Sequence, residues 1–184
     1  MRPSTVKGKI AITGLGIFCA AGKNGTFFKE SLLRGKCAIG PVNLFDVSHF
    51  PARIAAQVKD FDPLDYFDKK TAGHLMRADQ FALIACGEAL QMSGIRDSYN
   101  PYDIGVSMGA GAAGMYHGEL WLNALLKGER SHPSLLRGIL PDRTATAIAG
   151  HFGLCGYQGS ITTACSSSAS AFGWGADLIA TDRI

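Results

Sequence analysis

Cys165 has the setting in this chain that most suggests chemistry. In SITTACSSSAS, residues 160–170, no side chain after Ile161 is larger than threonine. The β-branched run before the thiol and the small residues after it predict a strand, a turn and a helix. A helix N-terminus favours thiolate over thiol. The pattern therefore predicts a nucleophile that an acyl group reaches past Thr163 and Ala164, with the Cys165 N–H as an oxyanion donor.

Two other interpretations of this stretch stay open. One is a structural cysteine, buried in a tight turn between the strand and the helix. The other makes Ser166, Ser167 or Ser168 the nucleophile. The α/β-hydrolase elbow requires G-x-S-x-G, however, and TACSSS lacks the flanking glycines. Serines at these positions favour capping of the helix and a small turn instead.

A glycine-rich segment, GAGAAG at residues 109–114, formally matches G-x-G-x-x-G. A dinucleotide site would need a helix starting there, a following strand and an acidic residue about 20 positions on. Glu129 lies near that distance, but the surrounding KGERSHPSL is not typical of a strand end. The other interpretation is a close backbone crossing that lines a pocket.

Length and composition bound the class of protein. The 184 residues suffice for one domain with a sizeable core, and 47% hydrophobic with 18% charged residues is typical of a soluble globular chain. The sequence shows no secretory signal and no apolar run of membrane-spanning length, so we expect a cytoplasmic protein. A net charge of +3 without a basic run gives no support for nucleic-acid binding.

The spacing of cysteines and histidines argues against disulfide and metal frameworks. The five cysteines are odd in number and contain no C-x-x-C pair. No metal-ligand spacing occurs among the five histidines, which are His49, His74, His117, His132 and His151. A thiolate enzyme usually needs a histidine close in space, and the sequence does not single out one of the five.

The order of elements predicts the α/β class. Strands are expected at Lys9–Thr13, in DIGVSMG and in GSITTAC. Helices are expected in GTFFKESLLRGK, ADQFALIACGEALQMS, GELWLNALLKGE, PDRTATAIAGHF (with Pro141 at its start) and SSSASAFGWGADLIA. Residues 37–70 lack steady periodicity and predict an irregular surface segment. The alternation indicates a sheet with helices on both faces.

Four segments, taken in order, resemble the N-terminal half of a β-ketoacyl-acyl-carrier-protein synthase, a condensing enzyme of the thiolase fold. They are ITGLG, DQFALIACGEAL, GVSMGAGAAG and AIAGHFGLCGYQGSITTACSSS, and together they span nearly the whole chain. The resemblance implies a layered α-β-α fold, the N-terminal half of a duplicated architecture. Residues 1–184 are expected to form this one N-terminal domain, ending before the C-terminal half.

The resemblance implies acyl condensation. An acyl chain would pass from a carrier thioester to Cys165, and a malonyl thioester would lose CO₂. The resulting carbanion would attack the acyl-cysteine to give a 3-oxoacyl product. No cofactor is implied, because the phosphopantetheine arm belongs to the carrier. The residues expected to bind the acyl chain are Gly109, Gly111, Ala112, Ile139, Thr163 and Ala164.

Family members often have a bulky side chain near the position of Ala112, where it limits access to the acyl pocket. Alanine at this position implies a larger pocket for the acyl chain. The resemblance implies an acyl carrier protein as partner, and Lys69, Lys70 and Arg77 are the basic residues expected to meet it. Alternatively, these three residues belong to ordinary solvated surface and bind no partner. Family members are homodimers whose active-site strands pair across a two-fold axis, with Ile139 near the neighbouring pocket.

Two departures from the family pattern bear on activity. The family often has Pro-Asn a little before the helix that contains His151, whereas this chain has Asp142 there and then Thr146 where an Asn is usual. The family's active-site histidines, lysine and Phe loop lie beyond the cysteine, so a second polypeptide or a longer chain is expected to supply them. The alternative function is a non-catalytic carrier-binding or assembly subunit. The retained Cys165 favours the enzyme, since chain-length-factor partners usually lose this nucleophile.

Overall fold

Two parallel strands form the part of the fold that carries the candidate site. The computed structural model describes residues 9–110 and 114–184. In it, β3 (Val106–Gly109) pairs with β4 (Gln158–Ile161). The first residues of the two strands lie opposite each other, and so do the last. Because parallel strands end at the same edge of a sheet, the turns after β3 and β4 leave it side by side.

Helices cover both faces of this strand pair. Val106 and Met108 pack in an apolar cluster with α3 (Arg77–Ser93) and α7 (Arg143–Phe152). The intervening Ser107 donates a 2.7 Å hydrogen bond to the carbonyl oxygen of Ala171, in α8 (Ser167–Ala180). Successive side chains of a strand point to opposite faces, so α8 lies on the other side of the sheet from α3 and α7. The expected two-sided covering is confirmed.

The buried core joins α3 and α7 to the sheet. Its fully packed apolar members are Leu83, Ile104, Val106, Ala145, Ile148, Ala149 and Leu154. Asp79 is fully buried beside them, and its carboxylate accepts hydrogen bonds from the Thr144 hydroxyl at 2.7 Å and the Met76 N–H at 3.1 Å. A buried polar group with its partners in place adds a specific tie between two helices.

The remaining elements lie before, between and after these. They are α1 (Gly25–Leu33), β1 (Ile39–Pro41), β2 (Ile54–Ala56), α2 (Lys69–His74), α4 (Ile95–Ser98), α5 (Met115–Leu126) and α6 (Ser134–Gly138). β1 and β2 pair antiparallel. The predicted stops at Gly94 and Gly153 are confirmed: both are left-handed C-caps, with φ of +64° and +69°. Glycine adopts that conformation without steric cost.

The strand predicted at Lys9–Thr13 is not formed. The segment runs without regular secondary structure, and the N–H groups that follow it bond to side chains of α3 rather than to a strand. Leu15 donates to the Met92 sulfur at 3.4 Å, and Ile17 donates to the Glu88 carboxylate at 2.8 Å. An apolar run forms a strand only where a neighbouring strand pairs with it.

Two further predictions need correction. Residues 37–70 contain the β1–β2 pair and the start of α2, so the segment is more regular than its sequence suggests. The helix predicted to start at Pro141 begins at Arg143, with Asp142 as N-cap. The Asp142 side chain makes no capping bond because it accepts from another strand, as described below.

Candidate functional site

Cys165 lies in the turn between β4 and α8. The turn is a short 3-10 helix, Ala164–Ser166, which leads into α8 at Ser167. The thiol is therefore two residues before the α-helix rather than at its first residue. Cys165 is exposed and unpaired. A structural cysteine sealed in the turn would be buried, so the exposure favours the interpretation as a nucleophile.

The backbone directly before the thiol has an unusual conformation. Ala164 has φ of +51°, the left-handed region, which costs a non-glycine residue on the order of 1–3 kcal/mol. The buried Ser167 side chain offsets this cost on both sides of Ala164. Its hydroxyl accepts from the Thr163 N–H at 2.9 Å and donates to the Ala164 carbonyl at 2.7 Å. Ser167 therefore holds the conformation that presents Cys165.

The neighbouring serine also serves the turn. The Ser166 hydroxyl donates to the Thr163 carbonyl at 2.9 Å and lies 3.0 Å from the Thr163 hydroxyl. A hydroxyl hydrogen committed to a backbone carbonyl is not in contact with a general base. Ser166 and Ser167 are thus turn-forming residues, which favours the thiol over a serine nucleophile.

The start of the glycine-rich segment crosses α8 at close range. A Cβ placed on Gly109 would lie 2.5 Å from the Ser168 Cα, so a side chain has no room there. The next residue, Ala110, donates a hydrogen bond to the Ile161 carbonyl at 3.3 Å. These contacts bring Gly109 beside the turn that carries Thr163, Ala164 and Cys165, and they support the interpretation as a close backbone crossing.

The dinucleotide interpretation finds no support in the fold. After α5, the next strand is β4 at Gln158, and Glu129 follows the end of α5 rather than a strand. A dinucleotide site needs an acidic residue at the end of the second strand. Gly111 and Ala112, both predicted to line the acyl pocket, lie outside the described residues.

Ile139 lies against the start of α5. A Cβ placed on Gly118 would be 3.5 Å from the Ile139 Cδ1, and one on Gly114 would be 2.8 Å from the Ile139 Cα. Ile139 keeps 44% of its surface exposed. Its expected place near a neighbouring subunit's pocket stays a prediction.

The three basic residues assigned to carrier docking differ in their surroundings. Lys69 and Lys70 are exposed at the start of α2. The Arg77 guanidinium lies 5.0 Å and 4.9 Å from the ring centroids of Phe61 and Phe81 and donates to the Val58 carbonyl at 3.0 Å. All three residues are exposed, but Arg77 also has a packing role that the sequence did not reveal.

Asp142, which departs from the family pattern, contacts the strand that leads to Cys165. Its carboxylate accepts a 2.8 Å hydrogen bond from the Ser160 N–H. The carbonyl groups of Tyr157 and Ile161 face β3, so the Ser160 N–H faces the other edge of β4. Asp142 thus covers a backbone donor on the outer edge of β4, the strand that leads to Cys165. No sequence signal marks this contact, because the partners are distant in the chain.

Two histidines line a cavity away from the thiol. His74 and His117 border a cavity of about 740 Å³, whose lining includes Arg137 and Arg143 but no residue of the Cys165 turn. The His117 Nδ1 is buried and finds no partner among the described residues.

Over residues 9–110 and 114–184, no three His, Cys, Asp or Glu side chains cluster as metal ligands. In the same part of the chain, every helix falls short of the length and apolarity needed to span a membrane.

Comparison with known proteins identifies the family. The family described as "Beta-ketoacyl synthase, N-terminal domain" matches residues 7–183. The 3-oxoacyl-[acyl-carrier-protein] synthase 2 of Coxiella burnetii is 33% identical over 177 residues, which cover 95% of this chain and 43% of that protein. This chain belongs to the β-ketoacyl synthase family.

Solved structures agree on the fold. The ishigamide ketosynthase/chain length factor superposes with a TM-score of 0.77 at 24% identity, covering 94% of this chain and 44% of that one. A type II polyketide synthase acyl-carrier protein in complex with its ketosynthase bound to the hexaketide gives 0.71 at 16% identity, covering 94% and 46%. The fold is therefore thiolase-like and corresponds to the N-terminal half. The chain spans less than half the length of these relatives.

Proposed function

We propose that this chain supplies the nucleophilic half of a β-ketoacyl synthase. The Cys165 thiolate attacks the carbonyl carbon of an acyl-carrier thioester, forming a new thioester. The carrier's sulfur leaves and takes up the proton that Cys165 has lost. The observation that carries the proposal is the exposed thiol in the turn where β3 and β4 end together, in a chain of this family.

The surroundings of the thiol suit an acyl transfer. Within the described residues, the Cys165 N–H has no protein acceptor, so it is available to stabilise the oxyanion of the tetrahedral intermediate. Thr163 and Ala164 are small and exposed beside it. An acyl chain therefore meets little steric resistance, and Gly109 keeps the adjacent backbone free of side-chain bulk.

The condensation itself is proposed for the complete assembly. A malonyl thioester loses CO₂ as its C–C bond to the carboxylate breaks, and the carbanion forms a new C–C bond with the acyl carbonyl carbon. The Cys165 sulfur leaves as the 3-oxoacyl product forms. The family's histidines and lysine, which would assist decarboxylation, belong to the half that this chain does not contain. Either the same polypeptide or a second one would supply it, and no cofactor is needed.

An acyl carrier protein is the proposed partner, in the cytoplasm. One structural relative is a ketosynthase in complex with its acyl-carrier protein. The exposed Lys69 and Lys70 suit the acidic surface that we expect of such a carrier. The product would belong to fatty acid or polyketide synthesis, as the names of the relatives indicate.

A homodimer is proposed as well, with β4 near the two-fold axis. The outer edge of β4 would then meet a second copy of this chain. The Asp142 carboxylate already accepts the hydrogen bond of the Ser160 N–H on that edge. A partner strand would have to displace this carboxylate or form its hydrogen bonds with the other backbone groups of the edge.

A non-catalytic assembly subunit is the second candidate. It is favoured by the similarity to a ketosynthase/chain length factor. Such a subunit would bind the carrier or a complementary half without turning over. The exposed Cys165 weighs against it.

Acylation of the protein by an acyl-carrier thioester tests the proposal. Peptide mass mapping should find the acyl group on Cys165, while the equally exposed Cys155 serves as the internal control. A Cys165→Ala variant should lose the modification. Acylation of Cys155 alone, or of neither thiol in the presence of the complementary half, would overturn the proposal. Acylation without 3-oxoacyl product in that assembly would favour the assembly subunit.

A further inference from the structure

A second cavity lies between α1 and the β1–β2 pair, and its lining includes no residue of the Cys165 turn. Its volume is about 560 Å³, within the range of small-molecule sites. Its walls come from the segment before α1, from α1 itself, from the connection into β1 and from the segment that follows β2. Phe27, Ile39 and Val58 contribute apolar surface to it. The cavity has a mixed lining that suits a ligand with an apolar part and a polar part.

Two buried polar side chains line this cavity with hydrogen-bond donors that remain unused. Ser31 and Gln57 are only 8% and 9% exposed. The Gln57 Oε1 accepts from the Asn43 N–H at 3.1 Å, but its amide nitrogen donates to no described residue. The Ser31 hydroxyl likewise has no partner in residues 9–110 and 114–184. Both donor atoms stay accessible to the solvent of the cavity, so an acceptor that enters the cavity can bond to them.

The charged side chains of the lining favour a ligand with negative charge. Lys23, Arg34, Lys36 and Lys59 line the cavity, against the two carboxylates of Glu30 and Asp60. The surplus is two positive charges. The Lys23 ammonium donates to the Asp60 carbonyl oxygen, which leaves three cationic side chains to meet a ligand. Asp60 itself has φ of +50°, a strained conformation of the kind found at binding sites.

We propose that this cavity binds a phosphate ester. Its phosphate would accept hydrogen bonds from Ser31 and Gln57 and pair with Arg34 and Lys59, since a phosphate offers several acceptor oxygens and a charge that matches the surplus. Its organic part would lie along the apolar wall at Phe27, because the cavity is far larger than one phosphate. The site is independent of the acyl chemistry proposed for Cys165.

Calorimetric titration with pyrophosphate and with adenosine diphosphate tests the proposal. Both should bind at low ionic strength, adenosine diphosphate at least as tightly as pyrophosphate, and both should weaken as salt is added. Ser31→Ala should weaken binding about tenfold, as expected for a lost hydrogen bond to a charged group. It should leave the unfolding temperature unchanged, because the hydroxyl bonds to no described protein group. The double variant Arg34→Gln, Lys59→Gln should abolish binding.

Lys29→Gln is the matched control, because Lys29 is exposed on the same helix and does not line the cavity. Its affinity should equal that of the unmodified protein. Absence of binding by both probes would overturn the proposal, and so would equal losses in Lys29→Gln and in the double variant. Binding of pyrophosphate without adenosine diphosphate would overturn the assignment to an ester. Unaltered affinity in Ser31→Ala would show that the Ser31 hydroxyl meets only water.

Discussion

The hydroxyl of Ser167 donates a 2.7 Å hydrogen bond to the carbonyl oxygen of Ala164, the residue directly before Cys165. The same hydroxyl oxygen accepts from the Thr163 N–H, so one buried side chain bridges the left-handed residue in this turn. The geometry of the thiol therefore depends on a serine that makes no contact with substrate in the proposed reaction. Ser167 is a positioning residue.

Replacement of Ser167 by alanine should separate this role from general stability. We expect the free energy of unfolding to fall by about 1–3 kcal/mol, since two hydrogen bonds inside the turn are lost. Acylation of Cys165 should fall about tenfold or more, because Ala164 is no longer held in its strained conformation. The measurement is the acylation rate from a carrier thioester at a temperature where the variant is folded.

Ser168→Ala is the control for that experiment, since Ser168 is the next residue and its side chain is exposed. It should change neither the stability nor the acylation rate appreciably. Equal acylation rates for Ser167→Ala and the unmodified protein would show that Ser167 does not position the thiol.

Gly109→Ala should be strongly destabilising. The new Cβ would lie 2.5 Å from the Ser168 Cα, so β3 and α8 would have to move apart, at a cost of about 3 kcal/mol. Denaturant titration provides the measurement. The control is Gly173→Ala in α8, where nothing beyond the adjacent backbone of the helix lies within 4 Å of the added Cβ and the helix should gain about 1 kcal/mol. A Gly109→Ala variant as stable as the unmodified protein would contradict the close crossing.

Cys86 and Cys165 should differ in their reactivity towards iodoacetamide. Burial raises the pKa of the Cys86 thiol to about 11, from an ordinary value of 9.0. At pH 9 iodoacetamide should therefore label the exposed Cys165 and leave Cys86 unmodified, as peptide mass mapping would show. Rapid labelling of Cys86 at pH 9 in the folded protein would contradict its partly buried position and its raised pKa.

The same raised pKa makes stability depend on pH. The unfolded state releases the Cys86 proton near pH 9.0 and the folded state only near 11. The contribution to stability is therefore complete below pH 9 and is lost as the pH rises towards 11. A Cys86→Ala variant should lack this part of the alkaline destabilisation.

Charge reversal at Lys69 and Lys70 should weaken binding of an acyl carrier protein. The loss should be largest at low ionic strength, because the side chains are exposed and salt screens them. Lys127→Glu, another exposed site, is the control. Arg77→Glu should additionally lower the unfolding temperature, since its guanidinium packs on Phe61 and Phe81. Carrier affinity that is unaltered by the Lys69 and Lys70 variants would remove them from the docking surface.

Ala112→Ile tests the expected room in the acyl pocket. The larger side chain should shorten the acyl chains that the complete assembly accepts, as competition between carriers of different chain length would measure. Ala113→Ile, the adjacent substitution, is the comparison. An unchanged chain-length preference in the Ala112 variant would show that this position does not limit the pocket.

Much of the fold could be predicted from local sequence signals. The long helix α3 ends at Gly94, and α7 ends at Gly153, because only glycine adopts the left-handed cap freely. The strand–turn–helix around Cys165 followed from β-branched residues succeeded by small ones. Segments 9–13 and 37–70 were predicted wrongly in part, since pairing of a strand depends on a distant neighbour that local composition does not reveal.

The sequence by itself determined the family, the thiolase-like half-fold and Cys165 as the candidate nucleophile, because each rests on motifs contiguous in the chain. Tertiary structure alone decided that the thiol is exposed, that Ser167 holds its turn and that Gly109 crosses α8 beside it. It alone showed Arg77 stacked on two rings and Asp142 bonded to Ser160. These relationships join residues through packing and hydrogen bonds across elements, and such distances are set only when the chain folds.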